Sequence, residues 1–70
     1  MKLSARNVIP GKVVEVVMGQ TTAHVRLEVA DGTIVTASIT NNAVDELALK
    51  VGQQAYAVIK ASDVMIAVDA

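Results

Sequence analysis

The sequence predicts an all-β fold: a small five-stranded barrel with one short helix between the third and fourth strands. Three observations carry this. Val, Ile and Thr make up 23 of the 70 residues and cluster in short runs between glycines. One run alternates apolar and polar residues cleanly and leads into Asp31-Gly32, a dipeptide favoured in tight hairpins. A single stretch, after Thr40, places apolar residues three and four apart, the helical spacing.

Lys12 to Met18 reads Lys-Val-Val-Glu-Val-Val-Met, apolar on both faces except at Glu15. Such a strand is buried on both sides or lies at a subunit contact. Ala23 to Val29 puts Ala23, Val25, Leu27 and Val29 on one face and His24, Arg26 and Glu28 on the other. Asp31-Gly32 predicts a type I′ hairpin, which needs positive φ at both residues. The returning strand, Thr33 to Thr40, puts Val35, Ala37 and Ile39 on one face and Ile34, Thr36, Ser38 and Thr40 on the other. Asn41 or Asn42 then caps a helix, with Asp45 and Glu46 in its first turn, Lys50 in its last, and Val44, Leu47 and Ala48 as its apolar stripe. Gln54 to Lys60 and Val64 to Val68 complete the strands, joined through Ala61-Ser62-Asp63. Five strands with a helix after the third is the connectivity of a small OB-type barrel. Length allows one domain, residues 1–70.

Composition sets a problem for that domain. Apolar residues number 37 of 70, and Tyr56 is the sole aromatic. A chain this short buries about 60–65% of its unfolded surface, too little to hide so much aliphatic area in one copy. No cysteine is present, so neither disulfides nor thiolate metal sites compensate. Subunit interfaces are the expected place for the surplus. The longest uncharged run, Gly32 to Val44, is 13 residues and is broken by Thr, Ser and Asn, too short and polar to span a bilayer. The opening Met1-Lys2-Leu3-Ser4-Ala5-Arg6 has no apolar signal region, so a cytoplasmic location is expected. A net charge of −1 and the near absence of aromatics speak against nucleic-acid binding.

Catalysis has few residues to work with. His24 is the only histidine, and it lies on the polar face of a strand beside Arg26. The carboxylates are scattered, and the glycines at 11, 19, 32 and 52 mark turns rather than a phosphate loop. What remains is a pair of polar clusters near the two ends of the chain. Ser4-Ala5-Arg6-Asn7 precedes the first long strand, and Lys60-Ala61-Ser62-Asp63 joins the last two. Each sets a cation beside hydroxyl or amide donors. Each is also what an ordinary solvated turn contains.

Ser4-Ala5-Arg6-Asn7, an apolar residue and then Gly11-Lys12-Val13-Val14, together with Thr22-Ala23-x-Val25, Val44-x-Glu46-Leu47 and Val58-Ile59-Lys60-Ala61-Ser62-Asp63-Val64-Met65, resemble the molbindins. These are small molybdate-binding proteins, also called molybdenum–pterin-binding or Mop proteins. The resemblance spans residues 2 to 68 and extends to the molybdate-binding domains of certain transporter ATPases and of a molybdate-responsive regulator.

The resemblance implies a homohexamer, a trimer of dimers, holding molybdate between subunits for intracellular storage and homeostasis. Tungstate, nearly the same size and charge, would compete. Molybdate is a tetrahedral dianion with acceptors only, so its site needs donors from several directions and one or two positive charges. Matching positions supply Arg6 and Lys60 for charge, Ser4, Asn7 and Ser62 as side-chain donors, and N–H groups around Ala5 and Ala61. In the family the first cluster comes from one subunit and the second from its neighbour. Asp63 would repel the anion and is expected to face away, toward a donor, as alternate residues of an extended chain do.

The resemblance also implies further oxyanion sites near the three-fold axis, with Gly19, Gln20, Thr21 and Thr22 as contributors beside His24 or Lys50. If His24 lines such a site, binding there strengthens as the imidazole gains a proton. No pterin pocket is supported, because stacking calls for aromatics and Tyr56 fits a core or interface role better. No enzyme activity is expected. A different class stays open: a non-catalytic OB-fold interaction or regulatory module that binds a protein or single-stranded nucleic acid.

Overall fold

The alternating segments assemble into one antiparallel sheet in the computed structural model, which describes residues 1–70. Its elements are β1 (Asn7–Met18), β2 (Thr22–Ala30), β3 (Thr33–Thr40), helix α1 (Asn41–Leu47) and β4 (Gln54–Ile59), followed by a 3₁₀ turn at Ala61–Asp63. The sheet order is β3-β2-β1-β4, with β3 and β4 at the edges.

The clean alternation of β2 is realised. Ala23, Val25 and Leu27 are buried while His24 and Arg26 are exposed. β1 begins earlier than its apolar run suggests, because Pro10 and Gly11 lie within it. Pairing with β2 starts only at Lys12, so Pro10, opposite Tyr56, has a ladder neighbour on one side alone. A residue without an N–H is tolerated there. Gly11 allows a close crossing: a Cβ at this position would lie 2.7 Å from the Glu28 carbonyl oxygen. At Val14 a bulge interrupts the register between Val13, opposite Leu27, and Glu15, opposite Arg26. Val13 and Val16 therefore both turn inward, and Glu15 reaches Arg26 at 3.6 Å on the outer face.

Several expectations are corrected. There is no fifth strand and the sheet does not close into a barrel. The 3₁₀ turn redirects the chain after Lys60, through Asp63 N–H to the Lys60 carbonyl at 2.9 Å, and Val64 to Val68 form no ladder. Met65, Ile66 and Val68 are 91%, 87% and 87% exposed. The hairpin is not type I′, because only Gly32 takes positive φ, at +74°. A register shift between Glu28 and Ala30 supplies the bulge that accompanies the alternative loop geometry. The helix cap is Thr40, not Asn41 or Asn42. Thr40 is extended, and its hydroxyl accepts from the Ala43 N–H at 3.0 Å. Asp45 and Glu46 thus fall beyond the first turn, and Lys50 lies past the end. Helix α1 ends on Ala48 in the left-handed region, φ 50°. Of its predicted stripe only Val44 is buried, while Leu47 is 61% exposed.

Five residues are buried: Val13, Ala23, Val25, Leu27 and Val44. Val16, Val29, Ile39, Leu49, Ala55 and Ala57 pack partly against them. The concave side of the sheet remains an open apolar cavity of about 690 Å³. Tyr56 is half-exposed rather than in the core. Each large aliphatic side chain left in water forgoes roughly 1.5–3 kcal/mol of burial. The surplus predicted from composition is therefore visible as bare surface.

Candidate functional site

Antiparallel pairing of β1 with β4 brings the two polar clusters together. Their ladder runs from Lys12 opposite Gln54 to Asn7 opposite Ile59. Arg6 and Lys60 are the next residues outward on each strand, so both clusters leave the same end of one sheet. Fifty-two residues of sequence separation vanish at this rung. The Asn7 side-chain amide spans it, donating through Nδ2 to the Ile59 carbonyl at 3.2 Å. Beyond it, Lys60 is extended at φ −63°, ψ 134°, and Ala61–Asp63 curl into the 3₁₀ turn.

The donors at this end are free. Arg6 and Lys60 form no ion pair, in contrast to Arg26 with Glu15. The hydroxyls of Ser4 and Ser62 find no acceptor within the subunit, nor do the N–H groups of Ala5, Ala61 and Ser62. Ser4, Arg6, Lys60, Ala61 and Ser62 are exposed, while Ala5 and Asn7 are half-buried. Two cations and a set of undirected N–H and O–H donors suit a ligand that offers acceptors alone. Asp63 departs from expectation. It lies in the 3₁₀ turn rather than an extended chain, so it does not alternate with Ser62, and its carboxylate receives no donor in the subunit.

The second group of residues is only partly assembled. Gly19 N–H donates to the Thr22 carbonyl at 2.8 Å, closing the turn between β1 and β2. Helix α1 grips this turn from outside: Asn41 N–H donates to the Thr21 carbonyl and Asn41 Nδ2 to the Gly19 carbonyl, both at 2.9 Å. Gln20 and Thr21 keep unpaired N–H groups. His24 is exposed one alternation along from Thr22, on the same face. Lys50 is elsewhere. Its segment is tied to Val13 through Gln53 and Gly52, six residues up β1 from Gly19, or about 20 Å along the strand. The sequence carries no sign of this grip, since an Asn-Asn pair before a helix reads first as a cap.

A family model described as the TOBE domain matches residues 3–66. This chain belongs to the TOBE domain family and is a molbindin. It is 44% identical over 69 residues to a probable molybdenum-pterin-binding protein of Haemophilus influenzae, covering 99% of this chain and 100% of the relative. A molybdate-binding protein from Sporomusa ovata has the same fold at a TM-score of 0.90 and 33% identity, over 96% of this molbindin and 98% of that chain. ModG, a cytoplasmic molybdate-binding protein solved with molybdate bound, matches with a TM-score of 0.88 and 46% identity. The match covers 93% of this molbindin and 46% of the ModG chain.

Proposed function

We propose that this molbindin binds molybdate at interfaces between its own subunits and serves intracellular molybdenum storage and homeostasis in the cytoplasm. The single observation that carries the reading is the meeting of two donor-rich, carboxylate-unpaired motifs at one sheet end. Arg6 of one subunit and Lys60 of its neighbour neutralise the dianion. Ser4 and Ser62, with N–H groups of Ala5 and Ala61, direct hydrogen bonds at its oxygens, and Asn7 stands among them with its amide on the Ile59 carbonyl. Relatives described as molybdate-binding support the choice of anion. Tungstate competes because it shares charge and near-equal size. Sulfate is smaller and leaves some of the fixed donors out of reach. The role is binding without catalysis.

A homohexamer built as a trimer of dimers supplies the interface. Its motive force is the apolar surface a single copy leaves in water, both the concave cavity and the projecting Val64–Val68 segment. In the dimer the Ser4–Asn7 cluster of one subunit faces the Lys60–Ser62 cluster of the other. The turn at Gly19–Thr22, with its free N–H groups and nearby His24, forms the weaker second type of oxyanion site around the three-fold axis. Lys50 reaches that site only from a neighbouring subunit.

Native mass spectrometry with and without added molybdate tests both halves together. A six-subunit species that gains molybdate masses is the expected result. A monomer that acquires none sinks the reading, and a hexamer that binds sulfate equally well removes the claim to selectivity.

A further inference from the structure

The hydrogen bond from Asn7 Nδ2 to the Ile59 carbonyl is the only side-chain bond that links the two donor motifs within one subunit. We propose that Asn7 is a positioning residue, a latch across the last rung of the β1–β4 ladder, and not a ligand of the anion. This rests on the molybdate-site reading above and changes the part Asn7 plays in it.

The argument starts from where the rung lies. Edge ladders fray from their ends, because the last pair has a neighbour on one side only. Here the last pair is Asn7 opposite Ile59. The residues it releases, Ser4 to Arg6 on one strand and Lys60 to Ser62 on the other, are the proposed donors. If the rung opens, each motif loses the direction in which it leaves the sheet, and neither meets its counterpart from the neighbouring subunit. Two features suit Asn7 to hold it. The side chain is half-buried, and its amide is directed at a main-chain carbonyl on the opposing strand. A main-chain acceptor cannot rotate away as a side chain can. The side chains of Ser4, Arg6, Lys60 and Ser62, by contrast, are exposed and unpaired, as ligands awaiting an anion should be. The anion then sees Asn7 only through the geometry that Asn7 fixes, as outer residues orient the direct ligands of a metal.

The latch and ligand roles are separated by replacing the hydrogen bond with a covalent one. The chain has no cysteine, so the double variant Asn7→Cys/Ile59→Cys carries the only thiol pair, at directly opposed positions where a cross-strand disulfide fits. Molybdate affinity is read by calorimetry on wild type, on Asn7→Ala, and on the double variant oxidised and reduced. A latch predicts at least about a tenfold loss in Asn7→Ala and in the reduced double variant, with recovery toward wild type on oxidation. Failure of the oxidised variant to recover, or wild-type affinity in Asn7→Ala, overturns the proposal. Amide hydrogen exchange in anion-free protein gives a second reading that needs no disulfide. A latch predicts faster exchange at Ile59 to Ser62 in Asn7→Ala, and unchanged rates overturn it. Wild type that binds no molybdate would instead remove the site reading, while the exchange result would still decide whether Asn7 holds the rung.

Discussion

The side chain of Asn41 donates to the Gly19 carbonyl at 2.9 Å, so the first residue of α1 holds the β1–β2 turn in place. Its backbone N–H engages Thr21 of the same turn. Asn41 Oδ1, however, is buried without a partner, which offsets part of what the amide contributes. Asn41→Ala removes both effects. The expected net loss is about 0.5–1.5 kcal/mol, read as a lower urea midpoint. A midpoint equal to wild type would show that the orphaned oxygen cancels the bond entirely.

How far the fold could be read in advance depends on which kind of signal each element carries. The strict alternation of β2 placed Ala23, Val25 and Leu27 inside, because a period of two leaves a half-buried strand no other register. Val14 defeats the same logic in β1: a bulge adds one residue and turns Glu15 outward beside Arg26, and nothing in a run of valines marks it. Thr40 is both the last residue of β3 and the helix cap, since both roles share an extended backbone. Val64 to Val68 has the composition of a strand but no partner edge in its own subunit. As for the site, both motifs were legible as donor clusters. Their meeting was not, because it depends on β1 and β4 being neighbours in the sheet.

Removing a charge from either motif tests the site directly. Arg6→Ala and Lys60→Ala each delete one exposed cation that forms no ion pair in the subunit, so neither should disturb folding. A hydrogen bond to a charged group contributes about 1.5–3 kcal/mol, so each variant should lose roughly ten- to a hundredfold in molybdate affinity. The oligomer should persist. Calorimetry beside size-exclusion chromatography checks both claims, and unchanged affinity in either variant removes that residue from the site.

Two small-residue substitutions should move stability in opposite directions. Ala48 ends α1 at φ 50° and is exposed, a conformation that costs an L-residue about 1–2 kcal/mol. Ala48→Gly relieves it and should raise the midpoint, reduced by the greater flexibility glycine lends the unfolded chain. Gly11→Ala should lower it, because the new methyl would sit 2.7 Å from the Glu28 carbonyl and 3.0 Å from Leu27 Cγ. Backbone lies on one side of that contact and the core on the other. Thermal denaturation of both variants provides the comparison, and a rise with Gly11→Ala would show that β1 and β2 can separate freely at their crossing.

The projecting tail offers the last test of the proposed hexamer, because it is the most exposed apolar segment of the subunit. Met65, Ile66 and Val68 stand almost wholly in water, while Val64, Ile66 and Val68 would share one face if the segment became a strand. None of them belongs to the sheet or to the five-residue core. Deleting residues 64–70 should therefore leave the strand signature in circular dichroism intact while abolishing the hexamer in sedimentation analysis. Ile66→Asp should act in the same direction, since burying an unpaired carboxylate against a neighbour's aliphatic surface costs several kcal/mol. Molybdate binding should weaken in both, because Lys60 to Ser62 immediately precede the tail and take their direction from where it docks. A hexamer that survives the deletion would transfer the interface to the outer faces of β1 and β4, where Val8, Tyr56 and Val58 are also exposed.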